Sequence, residues 1–86
     1  MSLMDFRVYV IVEIPLIEKR YELLVPIDRR IHDLISLLKN NIPELSLNYY
    51  KDRLPYLYNK NSGQLYNMNL IIKDSNIRMG TRLVLI

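Results

Sequence analysis

The stretch DRRIHDLISLLKNN, Asp28 to Asn41, decides how the rest of the chain is read. At about 100° per residue, Ile31, Leu34, Ile35, Leu38 and the following Ile42 fall within one arc of roughly 100°, the width of a core-facing stripe. Asp28 stands at the N-cap, where its carboxylate can accept from the free amides of a first turn. Pro43 closes the far end by biasing Ile42 away from helical geometry. The spacing predicts one main helix over about residues 28–41, and no other long segment has a helical period.

Before the helix the period changes to two. In DFRVYVIVEI, Asp5 to Ile14, Phe6, Val8, Val10, Val12 and Ile14 share one face and Arg7, Tyr9, Ile11 and Glu13 the other. That alternation, rich in β-branched and aromatic residues, predicts a strand. Pro15 to Lys19 connects it to a second strand, Arg20 to Ile27, in which Tyr21, Leu23 and Val25 alternate with Glu22 and Leu24. The pair reads as a hairpin whose ladder Pro26 ends by lacking a donor.

After the helix, Pro43 to Asp52 reads as a loop with room for a single helical turn. A third strand follows around Leu54 to Asn59, with Pro55 placing it near an edge. The turn formers Asn59 to Gly63 lead to a short return strand, Gln64 to Tyr66. A long connection, Asn67 to Ile77, carries Leu70, Ile71, Ile72 and Ile77 as anchors. Met79-Gly80 is a tight turn with Gly80 left-handed, and Thr81 to Ile86 closes the chain. The last strand is apolar on both faces, so it belongs in the middle of the sheet. One helix must cover one sheet. The expected fold is α+β, a β-grasp with a mixed sheet of four to five strands in the order 2-1-5-3-4.

The chain has 86 residues, enough for one domain, and half of them are hydrophobic. Met1-Ser2-Leu3 before Met4 reads as a leader left by an expression vector, which makes residues 4–86 the single domain. With no cysteine, disulfides, thiolate catalysis and cysteine-ligated zinc are excluded. Twelve cations interleave with nine carboxylates, so the net charge of +3 is not gathered into one arm as in many nucleic-acid binders. No run approaches the ~18 apolar residues of a membrane-spanning helix, so a soluble protein without direct membrane insertion is expected.

The segment Arg53 to Ile86 resembles the second half of a ubiquitin-like domain. The matching features are the strand Tyr56-Leu57-Tyr58-Asn59-Lys60, the Leu65 strand, the buried Ile72 and the pattern I-x-x-G-x-x-L-x-L at Ile77, Gly80, Leu83 and Leu85. The hairpin and the Asp-capped helix extend the resemblance to Phe6–Ile86. Within that fold the chain looks most similar to the YukD/EsaB family, small ubiquitin-like proteins of bacterial type VII secretion loci. Asn59-Lys60 after the third strand and the Ile77–Gly80–Leu83 turn carry this likeness, while two extra residues at Ser62-Gly63 depart from it. The resemblance implies a cytoplasmic, non-enzymatic accessory or regulatory protein. Its implied partners are secretion-machinery components, with self-association left open and no cofactor.

Ubiquitin and the sulfur carriers of its fold need a Gly-Gly carboxylate, whereas this sequence stops at Leu85-Ile86; a non-conjugating protein is expected. His32, the one histidine, is placed near Lys39 and Ser36 without a cluster of metal ligands, and Ser36 has no base at a readable spacing. No enzyme is expected. The candidate interface is the tyrosine-rich segment: Tyr49, Tyr50, Lys51, Arg53, Tyr56, Tyr58, Lys60 and Tyr66. Such rings can pack in the core, build a protein interface, or stack on single-stranded nucleic acid beside the cations. A nucleic-acid-binding regulator and a ubiquitin-like domain of an unrelated pathway are therefore the alternative readings. A secondary candidate surface is Arg29, Arg30 and Leu37. The two arginines are expected in the helix's first turn, where the dipole disfavours cations, and Leu37 lies about 120° off the centre of the stripe.

Overall fold

β-Branched residues at every second position draw the chain into its first strand, β1 (Arg7–Ile14). The computed structural model describes residues 6–86; the expected leader and the Met4 start lie outside the described residues. A 3-10 turn, Pro15–Ile17, reverses the chain into β2 (Lys19–Pro26). The strands pair antiparallel from Arg7 opposite Pro26 to Ile14 opposite Lys19. Val10, Val12, Ile14 and Val25 are buried on the inner face, and Tyr21 and Leu23 are half-buried there.

β2 ends at Pro26, as expected, but not because the proline lacks a donor. The Ile27 amide donates to the Phe6 carbonyl at 3.1 Å. By the alternation of an antiparallel ladder, Arg20, Glu22, Leu24 and Pro26 then point their backbone groups away from β1. The donor that Pro26 lacks falls on the open side, so the proline costs no bond.

The main helix, α1, spans Ile31–Asn41 and starts three residues later than its sequence suggests. Asp28 is not its cap. The amides of Ile31 and His32 instead donate to the carbonyls of Leu70 and Met68, both at 2.9 Å. Asp33 accepts from the Arg30 amide at 3.0 Å. The long connection thus meets the orphan donors that a capping side chain would otherwise serve. Arg29 and Arg30 precede the helix rather than occupying its first turn. Ile31, Leu34, Ile35, Leu38 and Ile42 are all buried, as the stripe requires.

Beyond Pro43 the expected helical turn is a π-helical one, Leu45–Tyr49, with Leu45 buried. β3 is only Leu57–Asn59, so Pro55 lies buried ahead of the strand and not inside it. Tyr56 nevertheless continues the pairing, exchanging backbone hydrogen bonds of 3.2 and 2.8 Å with Ile86. The expected return strand contracts to a single bridge between Leu65 and Tyr58. Gly63 (φ 75°) and Gly80 (φ 83°) both take the left-handed conformation their turns need. β4 (Thr81–Leu85) lies between β1, to which it is parallel, and β3, to which it is antiparallel.

The sheet order is β2-β1-β4-β3. With the Leu65 bridge added beyond β3, this is the order the sequence predicts. The core joins Val10, Val12, Leu83 and Leu85 of the sheet to Ile31, Leu34, Ile35 and Leu38 of the helix. The fold is the α+β, ubiquitin-like β-grasp.

Replacing Leu34 by Ala should cost about 2–5 kcal/mol, the usual loss for emptying a packed leucine site. Leu37→Ala, one turn position away on the exposed side, should cost within about 0.5 kcal/mol. Urea unfolding of both variants checks which face of α1 is inside.

Candidate functional site

A strand puts successive side chains on opposite faces, so register alone decides which residues share the sheet's outer surface. Val84 pairs with Tyr58 on one side and Glu13 on the other, all facing away from α1. Two residues along, Tyr56 pairs with Ile86 on the same face, and Leu65 bridges to Tyr58. Tyr56, Leu65 and Ile86 retain 49, 56 and 42% of their surface, while Tyr58 is half-buried between them and Val84 is covered. The result is a contiguous apolar strip at the β3 edge, built on backbone held by ladder bonds.

Charges frame the strip. Lys60 pairs with Arg82 through the backbone and reaches across to form an ion pair with Glu13. Its ammonium, donating to the Glu13 carboxylate, holds that carboxyl below its ordinary value. At the other end the Arg53 guanidinium lies 4.9 Å from the centroid of Tyr50 and 5.9 Å from that of Tyr56. This cation–π arrangement orders Arg53 beside the strip.

The structure divides the tyrosine-rich segment. Tyr50 and Tyr66, expected at an interface, are core residues at 1 and 4% exposure. Tyr66 closes a polar chain: the Asn59 side-chain amide donates to its hydroxyl at 3.1 Å, and that hydroxyl donates to Asn76 Oδ1 at 2.6 Å. Asn76 in turn donates to Gln64 at 3.0 Å, tying the long connection to the turn after β3. The Tyr50 hydroxyl is buried with no hydrogen-bond partner among the described residues, and burial pushes its phenol up. Tyr56, Tyr58, Lys60 and Arg53 are gathered on or beside the strip, whereas Tyr49 and Lys51 are exposed at the π-helical turn and just after it.

Leu65, Val84 and Ile86 were not singled out from the sequence as site members. The signal was present in the alternation of the last strand, where Val84 and Ile86 oppose Leu83 and Leu85. An apolar strand end signals burial, and here it also marks a surface.

The secondary surface also changes. Arg30 is exposed, but its guanidinium is tied back, donating to the Asn69 carbonyl at 2.6 Å. Arg29 and Leu37 remain exposed and line a groove of about 230 Å³ with Val25, Asp33 and Leu34. His32 is exposed, with Nδ1 3.9 Å from the adjacent Asp33 carboxylate.

Several solved structures share the architecture. A ubiquitin-like domain from Arabidopsis thaliana superposes with a TM-score of 0.70 at 16% identity, covering 99% of this chain and 81% of its own. The ubiquitin-like domain of yeast Ddi1 gives 0.67 at 18% identity over 98 and 92% of the two chains. A chain of a toluene 4-monooxygenase complex gives 0.74 at 7% identity over 93 and 96%. These likenesses establish the ubiquitin-like fold; its occurrence in so different a setting means that function must be argued from the surface. No family model matches the sequence, and no curated protein matches it.

Two outcomes follow. Tyr50→Phe should leave stability unchanged or raise it, because it removes a buried hydroxyl without a partner, whereas Tyr66→Phe should lose about 0.5–1.5 kcal/mol per hydrogen bond; thermal unfolding of both separates the two roles. In Lys60→Met, the Glu13 carboxyl should titrate higher than in the wild type by NMR. The wild-type pair stabilises the fold above the ordinary carboxylate range and loses that contribution as pH falls through the lowered value.

Proposed function

We propose that the chain is a non-enzymatic protein-interaction module, and that it binds through the outer-face strip of Tyr56, Tyr58, Leu65 and Ile86. The observation that carries this reading is an exposed apolar strip on a rigid sheet, with ordered cations at its ends. Tyrosines held in place give contact area at little entropic cost, and Arg53 and Lys60 supply the polar rim of a protein interface. In the finer reading the module is a cytoplasmic accessory of a bacterial type VII secretion system, acting by contacts with other machinery components. Its support is the resemblance of Asn59-Lys60 and the Ile77–Gly80–Leu83 turn to the YukD/EsaB pattern.

The nucleic-acid reading has less support. Two of the five rings in the segment are in the core, and Lys60 is committed to Glu13. Of the three rings that remain, Tyr49 lies apart at the π-helical turn, and Tyr56 and Tyr58 form a strip with aliphatic Leu65 and Ile86, a surface better matched to a protein than to stacked bases.

The test is co-purification from the native cell with tagged protein. Wild type should retain secretion-machinery components, and Tyr56→Ala/Leu65→Ser should lose them while melting within a few degrees of wild type. Retention by the variant would remove the strip from the account, and partners unrelated to secretion would remove the finer reading. Binding to single-stranded oligonucleotides that weakens steeply with salt would favour nucleic acid instead.

A further inference from the structure

The opposite edge of the sheet carries a second surface. β2 is an edge strand eight residues long, paired only with β1. The Arg20, Glu22 and Leu24 backbone groups point outward, and among the described residues no hydrogen bond reaches them. A long regular edge of this kind is a template for another strand, and charge and proline blunt such edges; β2 carries Lys19, Arg20, Glu22 and Pro26, so pairing requires a register that opposes unlike charges. Below it, on the helix side, Tyr21, Leu23, Leu37 and Ile42 line an apolar groove of about 300 Å³.

We propose that this edge pairs antiparallel with β2 of a second copy of the chain, joining two four-stranded sheets into one across a two-fold axis. The strand's own side chains select the register. Ladder bonds form only where outward-pointing residues oppose each other. Centring on Tyr21 puts Arg20 opposite the partner's Glu22, and by symmetry Glu22 opposite the partner's Arg20. Centring on Glu22 would place two carboxylates face to face, which is destabilising. Centring on Leu23 would oppose Arg20 with Pro26, which has no donor to give.

In the favoured register the charges form an alternating square on the outer face. Arg20 and Glu22 already lie 3.5 Å apart within one chain, with Glu22 also accepting from the Tyr9 hydroxyl, and the partner's pair adds the opposite charges to this set. On the inner face the two Tyr21 rings meet over the grooves, and Lys19, held 3.0 Å from Glu44, lays its aliphatic stem against the partner's Leu23. The interface is narrow, so the dimer is weak and concentration-dependent. The strip at the β3 edge stays free in it, which makes the two surfaces separable.

Sedimentation equilibrium of the full chain from micromolar to millimolar concentration tests the proposal. Wild type should dimerise, and Arg20→Glu and Glu22→Arg should each weaken the dimer at least about tenfold, as like charges facing across an interface do. An equimolar mixture of the two single variants should form a heterodimer, and the double exchange Arg20→Glu/Glu22→Arg should restore self-association. Both side chains are exposed, so the variants should fold, which their melting curves check. A wild type that stays monomeric at millimolar concentration overturns the proposal, as does a dimer indifferent to the exchanges. A monomer whose Glu22 and Leu24 amides become protected from exchange by an added apolar peptide would also overturn it, by assigning the edge to a foreign strand.

Discussion

One helix has one apolar stripe, and here it covers one face of a four-stranded sheet. That constraint sets everything else in the molecule. Ile31, Leu34, Ile35 and Leu38 must meet Val10, Val12, Leu83 and Leu85 for either layer to leave water, and together they form the centre of the core. No second α-helix exists among the described residues to cover the outer face of the sheet. Among the described residues, much of the outer face and the β2 edge are left open, while residues 64–66 pair with part of the β3 edge. Those are the places where the protein can meet other molecules.

The two edges are treated differently. At the β3 edge, side chains dominate: Tyr56, Tyr58, Leu65 and Ile86 present apolar area, with Arg53 and Lys60 anchored by a ring pair and a carboxylate. At the β2 edge the backbone dominates, since Arg20, Glu22 and Leu24 offer unpaired donors and acceptors in a regular row. A partner at the first would be recognised by shape and hydrophobicity, and at the second by strand pairing and charge register. A single small domain can carry both surfaces because the central strands hold the edges apart.

The fold was legible because its signals were periodic. Alternation from Val8 to Ile14 and the stripe from Ile31 to Ile42 each report a face, and the apolar final strand reports its central place. What escaped the sequence depended on contacts distant in the chain. Asp28 has the right chemistry for a cap, yet carbonyls of Met68 and Leu70 reach the helix start first. Pro26 does end β2, yet the ladder's phase turns its nitrogen outward, so its missing donor is not the cause. The tyrosines were ambiguous for a related reason, since aromatic rings serve cores and interfaces alike. Spacing could not separate Tyr50 and Tyr66, which pack inward, from Tyr56 and Tyr58, which ride the outer face; strand register could.

If the α1 stripe and the central strands form one cooperative core, they should open together. Native-state hydrogen exchange read residue by residue tests this most directly. The amides of Ile35 and Leu38 in α1, Val10 and Val12 in β1, and Leu83 in β4 should share the highest protection, equal to the global unfolding free energy. Exchange of the α1 amides through a separate opening of much lower free energy, with β1 and β4 still protected, would contradict the account.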